Sequence, residues 1–255
     1  MSSKRVALVA GASFGIGRAI AERLASDGHR VLALARSQDK LAELEEKATS
    51  AGHVVHGICA DVADLEATLA AVEAAARDFG EPSIFVHAIS SRYRHARLQS
   101  VNAEDMRREI DVGLTSAAAL SSALLRGMAR ERFGRIVFLG SSAAAVGLAG
   151  SSVYCAIKAG LEGLARGIAV DYADRGITAN TIALGMVKTE RLDERRHSAG
   201  GSEDDLLSRV PQRRLISVDE VAAVTSFLVS DVAQSLTGTV IQADAGLHLV
   251  GARIE

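Results

Sequence analysis

The stretch Val6-Ala7-Leu8-Val9-Ala10-Gly11-Ala12-Ser13-Phe14-Gly15-Ile16-Gly17 decides how the rest of the chain is read. Five apolar residues without polar alternation run straight into a glycine cluster, and helical spacing begins inside that cluster. A strand that is apolar on both faces is buried on both, as in parallel sheets sandwiched by helices. Glycines at such a junction permit a tight strand-to-helix turn and close approach of a ligand to the backbone. The exposed N–H groups and the positive end of the helix then hold phosphate charge. A strand, glycine turn and helix in that order predict a dinucleotide site on Gly11, Ser13, Phe14, Gly15, Ile16 and Gly17.

Outward from this stretch the pattern repeats. Apolar runs at residues 5–10, 30–35, 54–59, 84–89, 136–139, 178–182 and 240–243 alternate with helical spacing. The helical stretches cover 15–27, 65–79, 103–130, 152–174 and 218–230, and Leu41, Leu44 and Ala48 mark another after the second strand. This order predicts an α/β fold, a Rossmann-like doubly wound parallel sheet that takes ligands at the carboxyl ends of its strands. The 255 residues contain only two prolines, Pro82 and Pro211, and no linker-like tract, so one domain spanning 1–255 is expected.

Composition narrows the function classes. A net charge of −2 argues against a general nucleic-acid binder. Two cysteines, Cys59 and Cys155, without paired Cys/His spacing predict neither a disulfide framework nor a metal site. The apolar run after Arg5 is too short for a signal peptide, and no stretch approaches a membrane span. A cytoplasmic protein with no membrane partner is expected.

The end of the second strand reads Ala35-Arg36-Ser37. An acidic residue there would hold the 2′-hydroxyl of NAD, whereas Arg36 can grip a 2′-phosphate with Ser37 as a second donor. NADP(H) is therefore preferred, with NAD(H) as the alternative. Asp61, before Val62, is placed to accept from an adenine amino group or to cap a turn.

A second site follows the run Gly134-Arg135-Ile136-Val137-Phe138-Leu139-Gly140-Ser141-Ser142, a buried strand ending in two hydroxyls. Downstream stands Tyr154-Cys155-Ala156-Ile157-Lys158, whose ends share a helix face. A tyrosine is a poor acid–base group near neutrality, but an adjacent ammonium favours its phenolate. Lys158 can also donate to the nicotinamide ribose, and Ser141 can stabilise charge developing on a substrate oxygen. Ser141, Tyr154 and Lys158 are the candidate catalytic residues.

On these residues the chain resembles the short-chain dehydrogenase/reductase family over essentially its whole length. Asp61-Val62, Gly176-Ile177-Thr178-Ala179-Asn180, Leu236-Thr237-Gly238 and Asp244-Ala245-Gly246 extend the match. The resemblance implies a seven-stranded sheet with helices on both faces, a nicotinamide cofactor and a homotetramer or homodimer. It implies hydride transfer between the nicotinamide and a carbonyl or secondary alcohol of a small molecule or acyl thioester, most simply as a ketoreductase. It also places Gly185, Val187 and Thr189 at the nicotinamide carboxamide and a mobile substrate lid at about 190–210.

Five departures from the family pattern stand out: Ala10, the segment His87-Ala88-Ile89-Ser90, Gly113, Leu184 and Ala245. Gly113 falls where an asparagine commonly supports a water relay, so a weakened or rerouted relay is expected; glycine inside a helix also costs about 1 kcal/mol unless it marks a kink. The segment at 87–90 looks like that of enoyl reductases, which keeps reduction of an activated C=C bond as an alternative. His87 itself is read as structural, since no acid partner is visible. The departures also raise an impaired NADP(H)-binding sensor as a third class, against which the intact Ser141, Tyr154 and Lys158 argue. Arg92, Arg94 and Arg97 read first as a solvated basic loop and second as a grip for an anionic substrate handle.

Overall fold

The computed structural model describes residues 4–90, 96–190, 192 and 202–252. Seven strands form one sheet: β1 (Val6–Ala10), β2 (Arg30–Ala35), β3 (Val55–Cys59), β4 (Ile84–His87), β5 (Gly134–Ser141), β6 (Ile177–Leu184) and β7 (Val240–Ala243). All pairings are parallel, in the order β3-β2-β1-β4-β5-β6-β7. The order reverses between β1 and β4, and a crevice opens there at the carboxyl ends.

The unalternating strands divide their side chains between two cores. Ala7, Val9, Val31, Val86, Val137 and Ile182 pack with Ile20 and Leu24 on one face. Leu8, Leu32, Phe85, Ile136 and Phe138 pack with Leu120, Met128 and Leu161 on the other. Helix α1 (Gly15–Ser26) lies on the first face, as does the helix Val218–Val229, which starts in a capping box between Ser217 and Glu220. Helices α2 (Gln38–Ser50) and α3 (Leu65–Phe79) complete the βα units of the first half; Asp64 caps α3 through the Ala67 N–H.

Where one long helix is expected over 103–130, the structure has three pieces. They are α4 (Ala103–Ile110), a π-helical turn (Asp111–Thr115) and α5 (Ser116–Glu131). A π-turn keeps apolar spacing almost undisturbed, so periodicity does not reveal it. The composite helix is long and apolar enough to cross a membrane by length and composition. Its apolar face, including Ala117, Leu120 and Leu124, is buried on the sheet instead.

The second half adds the short α6 (Ala143–Val146) and the long α7 (Ser152–Tyr172). A six-residue helix, Glu203–Ser208, lies within the segment expected to be a lid, whose residues 191 and 193–201 fall outside those described. Strand β4 ends at His87 rather than 89, because Ala88, Ile89 and Ser90 turn to wall the crevice.

Candidate active site

A cavity of about 1050 Å³ opens along the carboxyl ends of the strands. At one end it is built from the glycine turn. Gly11 has φ +92°, and a β-carbon there would touch the Ala88 backbone at 3.0 Å. One on Gly17 would sit 2.1 Å from the Gly11 carbonyl oxygen, so the turn closes only with glycine at that position. Ser13, Phe14, Gly15 and Ile16 line the same wall. The first turn of α1 presents its N–H groups to the cavity, a cradle shaped for a pyrophosphate.

Arg36 and Asp61 stand beyond the ends of β2 and β3. Arg36 Nη1 lies 3.8 Å from Asp61 Oδ2, both side chains are largely exposed, and both line the cavity with Val62. Asp61 Oδ1 accepts from the Ala63 N–H at 3.1 Å, so this carboxylate caps its turn and neighbours Arg36 at once. Ser37, next to Arg36, stands at the N-cap of α2 without a side-chain capping bond and is not part of the cavity wall.

The middle of the cavity gathers the proton-transfer candidates. Ser141 ends β5, where its Oγ accepts from the Ala143 N–H at 3.2 Å. Its hydroxyl proton remains to donate toward the cavity it lines. Tyr154 and Lys158 sit one turn apart near the start of α7, with Lys158 Nζ 5.7 Å from the Tyr154 ring centroid. Lys158 is buried and donates to the Leu139 carbonyl at 2.7 Å, two residues before Ser141 on the same strand. A buried ammonium beside a phenol is the electrostatic arrangement that favours the phenolate.

Opposite lies the turn after β6. A β-carbon on Gly185 would meet the Asp244 backbone at 2.8 Å, so the closeness of the two strand ends requires glycine. Val187 is held by a bridge to Ile216, and Thr189 stands across the cavity from Gly15, where an added β-carbon would lie 3.7 Å from its Cγ2. Leu184, the departure before Gly185, and Ala245, with φ +55°, sit at the ends of β6 and just past β7.

The remaining departures cluster behind the site. Gly113 is buried in the π-turn, and a β-carbon there would sit 2.7 Å from Ile157 Cγ2. It thus marks a kink that lets the turn press against α7 beside Lys158. His87 is fully buried, 3.0 Å from Ser116 Oγ through Nε2. Burial, then the charge of Lys158, pushes its pKa down to about 3, so the ring is neutral.

The remaining walls come from scattered segments: Val101, Asn102, Asp105 and Arg108 from the α4 region, Val146 from α6 with Leu148 just past it, and Leu206 and Arg209 from the far segment. No local motif flags them; they meet only because α4, α6 and the Glu203–Ser208 helix converge over one crevice. Of the basic run, Arg92 and Arg94 lie outside the described residues, and Arg97 is exposed and is not part of the cavity wall. Among the described residues no cluster of three or more His, Cys, Asp or Glu is placed to hold a metal.

Residues 11–248 match the family model described as enoyl-(acyl carrier protein) reductase. The 3-oxoacyl-[acyl-carrier-protein] reductase FabG of Escherichia coli is 35% identical over 246 residues, covering 96% of this chain and 98% of the relative. The chain belongs to the short-chain dehydrogenase/reductase family. The Haemophilus influenzae FabG is 36% identical over 249 residues, at the same coverage. Among solved structures, YwfH, an NADPH-dependent reductase involved in bacilysin biosynthesis, superposes with a TM-score of 0.92 at 25% identity, covering 96% of this chain and 98% of that one. A Serratia marcescens short-chain dehydrogenase/reductase variant does so at 0.87 and 31% identity, covering 97% and 98%. Membership accounts for the seven-stranded sheet and implies a nicotinamide cofactor, for whose pyrophosphate the glycine cradle is shaped.

Proposed function

We propose that this short-chain dehydrogenase/reductase is an NADPH-dependent ketoreductase acting on 3-oxoacyl thioesters or related small ketones. The observation that carries the reading is Ser141, Tyr154 and buried Lys158 lining one cavity that continues into the glycine cradle. Reduced nicotinamide, when bound, supplies the hydride to the carbonyl carbon. Ser141 Oγ donates a hydrogen bond to the carbonyl oxygen and stabilises the charge that grows there. Tyr154 Oη delivers the proton to that oxygen, and the Lys158 ammonium stabilises the phenolate left behind. Gly185, Val187 and Thr189 hold the carboxamide end, opposite Gly15.

Arg36 supports the preference for NADP(H), because its guanidinium is exposed beyond the end of β2, with the Asp61 carboxylate 3.8 Å away as its ion-pair neighbour among the described residues. NAD(H) is the poorer cofactor. We place the enzyme in the cytoplasm, where the free and exposed Cys59 thiol would stay reduced. Self-association is supported by α7: among the described residues nothing outside the helix lies within 4 Å of β-carbons built on Gly163 and Gly167, and Val170 is 84% exposed. A second copy can lay its own helix against that open face, giving a homodimer or homotetramer.

The test follows NADPH oxidation with acetoacetyl-coenzyme A and with crotonyl-coenzyme A. Turnover of the ketone is expected, with a loss of about 10²–10⁴-fold in Tyr154→Phe and retained NADPH binding. The family model's enoyl description and the segment at 87–90 favour a second reading, and turnover of the enone alone would install it. Binding of NADPH without turnover of either would point to a sensor.

A further inference from the structure

His87 is a buried titratable group to which the reaction above gives no task. It ends β4 with no solvent exposure, edge-on to Phe85 and Phe138 at centroid distances of 6.2 and 6.5 Å. Its Nε2 lies 3.0 Å from Ser116 Oγ, and that hydroxyl lies 2.7 Å from the Val112 carbonyl within the π-turn. A carbonyl only accepts, and a hydroxyl has one proton, so the Ser116 proton goes to Val112. Nε2 must then carry the ring proton and donate it to Oγ. That leaves Nδ1 as a bare acceptor, buried and without a partner among the described residues. Such an atom is costly to bury unless something donates to it.

The neighbouring donor is Lys158. His87 pairs in register with Phe138, and the next residue on that strand, Leu139, receives the Lys158 Nζ–H bond at 2.7 Å. The π-turn that carries Ser116's partner packs on α7 to either side of Lys158, Gly113 against Ile157 and Leu114 against Gly160. Imidazole and ammonium are thus both buried and close enough for the Lys158 charge to act on the ring. An ammonium has three donors, and the Leu139 carbonyl takes one of them.

We propose that His87 is a positioning residue for Lys158. A single buried water accepts from the ammonium and donates to Nδ1, and with the Leu139 carbonyl it fixes the ammonium relative to Tyr154. No proton is transferred in this arrangement; the water makes one bond in each direction. It rests on the reading of Tyr154 and Lys158 as the acid–base pair. The groups facing the ring are Lys158 from α7, whose charge acts on it, Ser116 from α5, and apolar Ala10, Phe85 and Phe138 from the sheet; Asp111 of the π-turn is exposed and takes the Thr115 hydroxyl. With its pKa near 3, the ring keeps Nδ1 unprotonated at neutral pH.

The experiment titrates the phenolate absorbance of Tyr154 in the full-length protein, isolated by subtracting the Tyr154→Phe spectrum, and measures kcat and KM with acetoacetyl-coenzyme A. His87→Phe keeps a ring between Phe85 and Phe138 but removes the acceptor. It is expected to raise the Tyr154 midpoint by about one pH unit and lower kcat about tenfold, with the NADPH KM unchanged within about twofold. His87→Asn returns an acceptor and should recover most of both. Ser116→Ala, a second variant should His87→Phe not fold, frees the ring proton to move to Nδ1 and should shift the midpoint in the same direction. An unmoved midpoint in folded His87→Phe, or in Ser116→Ala if the former does not fold, overturns the proposal. The titration needs no substrate, so it stands even where acetoacetyl-coenzyme A is not turned over. Full turnover by Tyr154→Phe would instead sink the underlying active-site reading.

Discussion

Placing a methyl group on Gly113 tests whether the π-turn exists to fit against the catalytic helix. The β-carbon of Gly113→Ala would lie 2.7 Å from Ile157 Cγ2 and 3.5 Å from Cδ1. Carbon atoms rest at about 3.5–4.0 Å, so the gap must open by roughly 1 Å. Cγ2 is fixed to a branched β-carbon, and Ile157 is only 3% exposed, so neither rotation nor solvent offers relief. Overpacking of this kind costs about 1–3 kcal/mol, against which alanine regains about 1 kcal/mol of helix preference over glycine. The net loss expected is up to about 2 kcal/mol, or up to about 8 °C in melting temperature for a chain of this size. In an Ile157→Ala background the obstructing methyl is gone, and Gly113→Ala should stabilise by up to about 1 kcal/mol. The sign therefore changes between backgrounds, with a coupling of about 1–3 kcal/mol read from urea unfolding of the four proteins. Because Ile157 immediately precedes Lys158, the displaced helix should also lower kcat, and Gly113→Asn, which is bulkier still, should lose turnover as well. Equal effects of Gly113→Ala in both backgrounds would refute this account.

Three further outcomes follow from single sites. Arg36→Ala should reduce the preference for NADPH over NADH by about 10- to 150-fold, the worth of a charge-assisted contact of about 1.5–3 kcal/mol; an unchanged ratio of the two kcat/KM values would remove Arg36 from the phosphate site. Ala245 holds φ +55°, which costs an L-residue about 1–2 kcal/mol, partly offset by the greater unfolded-state freedom of glycine. Ala245→Gly should therefore raise the melting temperature by a few degrees at most, and a fall would show that the position is unstrained. For His87 the folded pKa of about 3 lies below the ordinary 6.5, so between those values the unfolded chain binds a proton that the folded chain does not. Stability is expected to fall as pH drops through that window, and His87→Asn should flatten the slope of unfolding free energy between pH 7 and 4.

Much of this molecule was legible from short-range pattern. Strand β1, the glycine turn and α1 follow one another within a dozen residues, and each is dictated by local backbone demands: burial on both faces, a positive φ at Gly11, and no room for a side chain at Gly17. The same holds for Tyr154 and Lys158, which share a face by helical spacing alone. Tertiary structure decided what depends on distant segments meeting. Gly113 looks like a flaw in a helix until Ile157, more than forty residues on, is found pressed against it. His87 reads as a strand-end residue, and only the fold supplies Ser116 and the π-turn that orient its ring and leave Nδ1 open beside Lys158. Arg108 and Arg209 are brought to the cavity from α4 and from just past the Glu203–Ser208 helix, a meeting that no local pattern announces. Periodicity reports which side of an element is buried, but not what it is buried against, and this part of the cavity wall is made of such meetings.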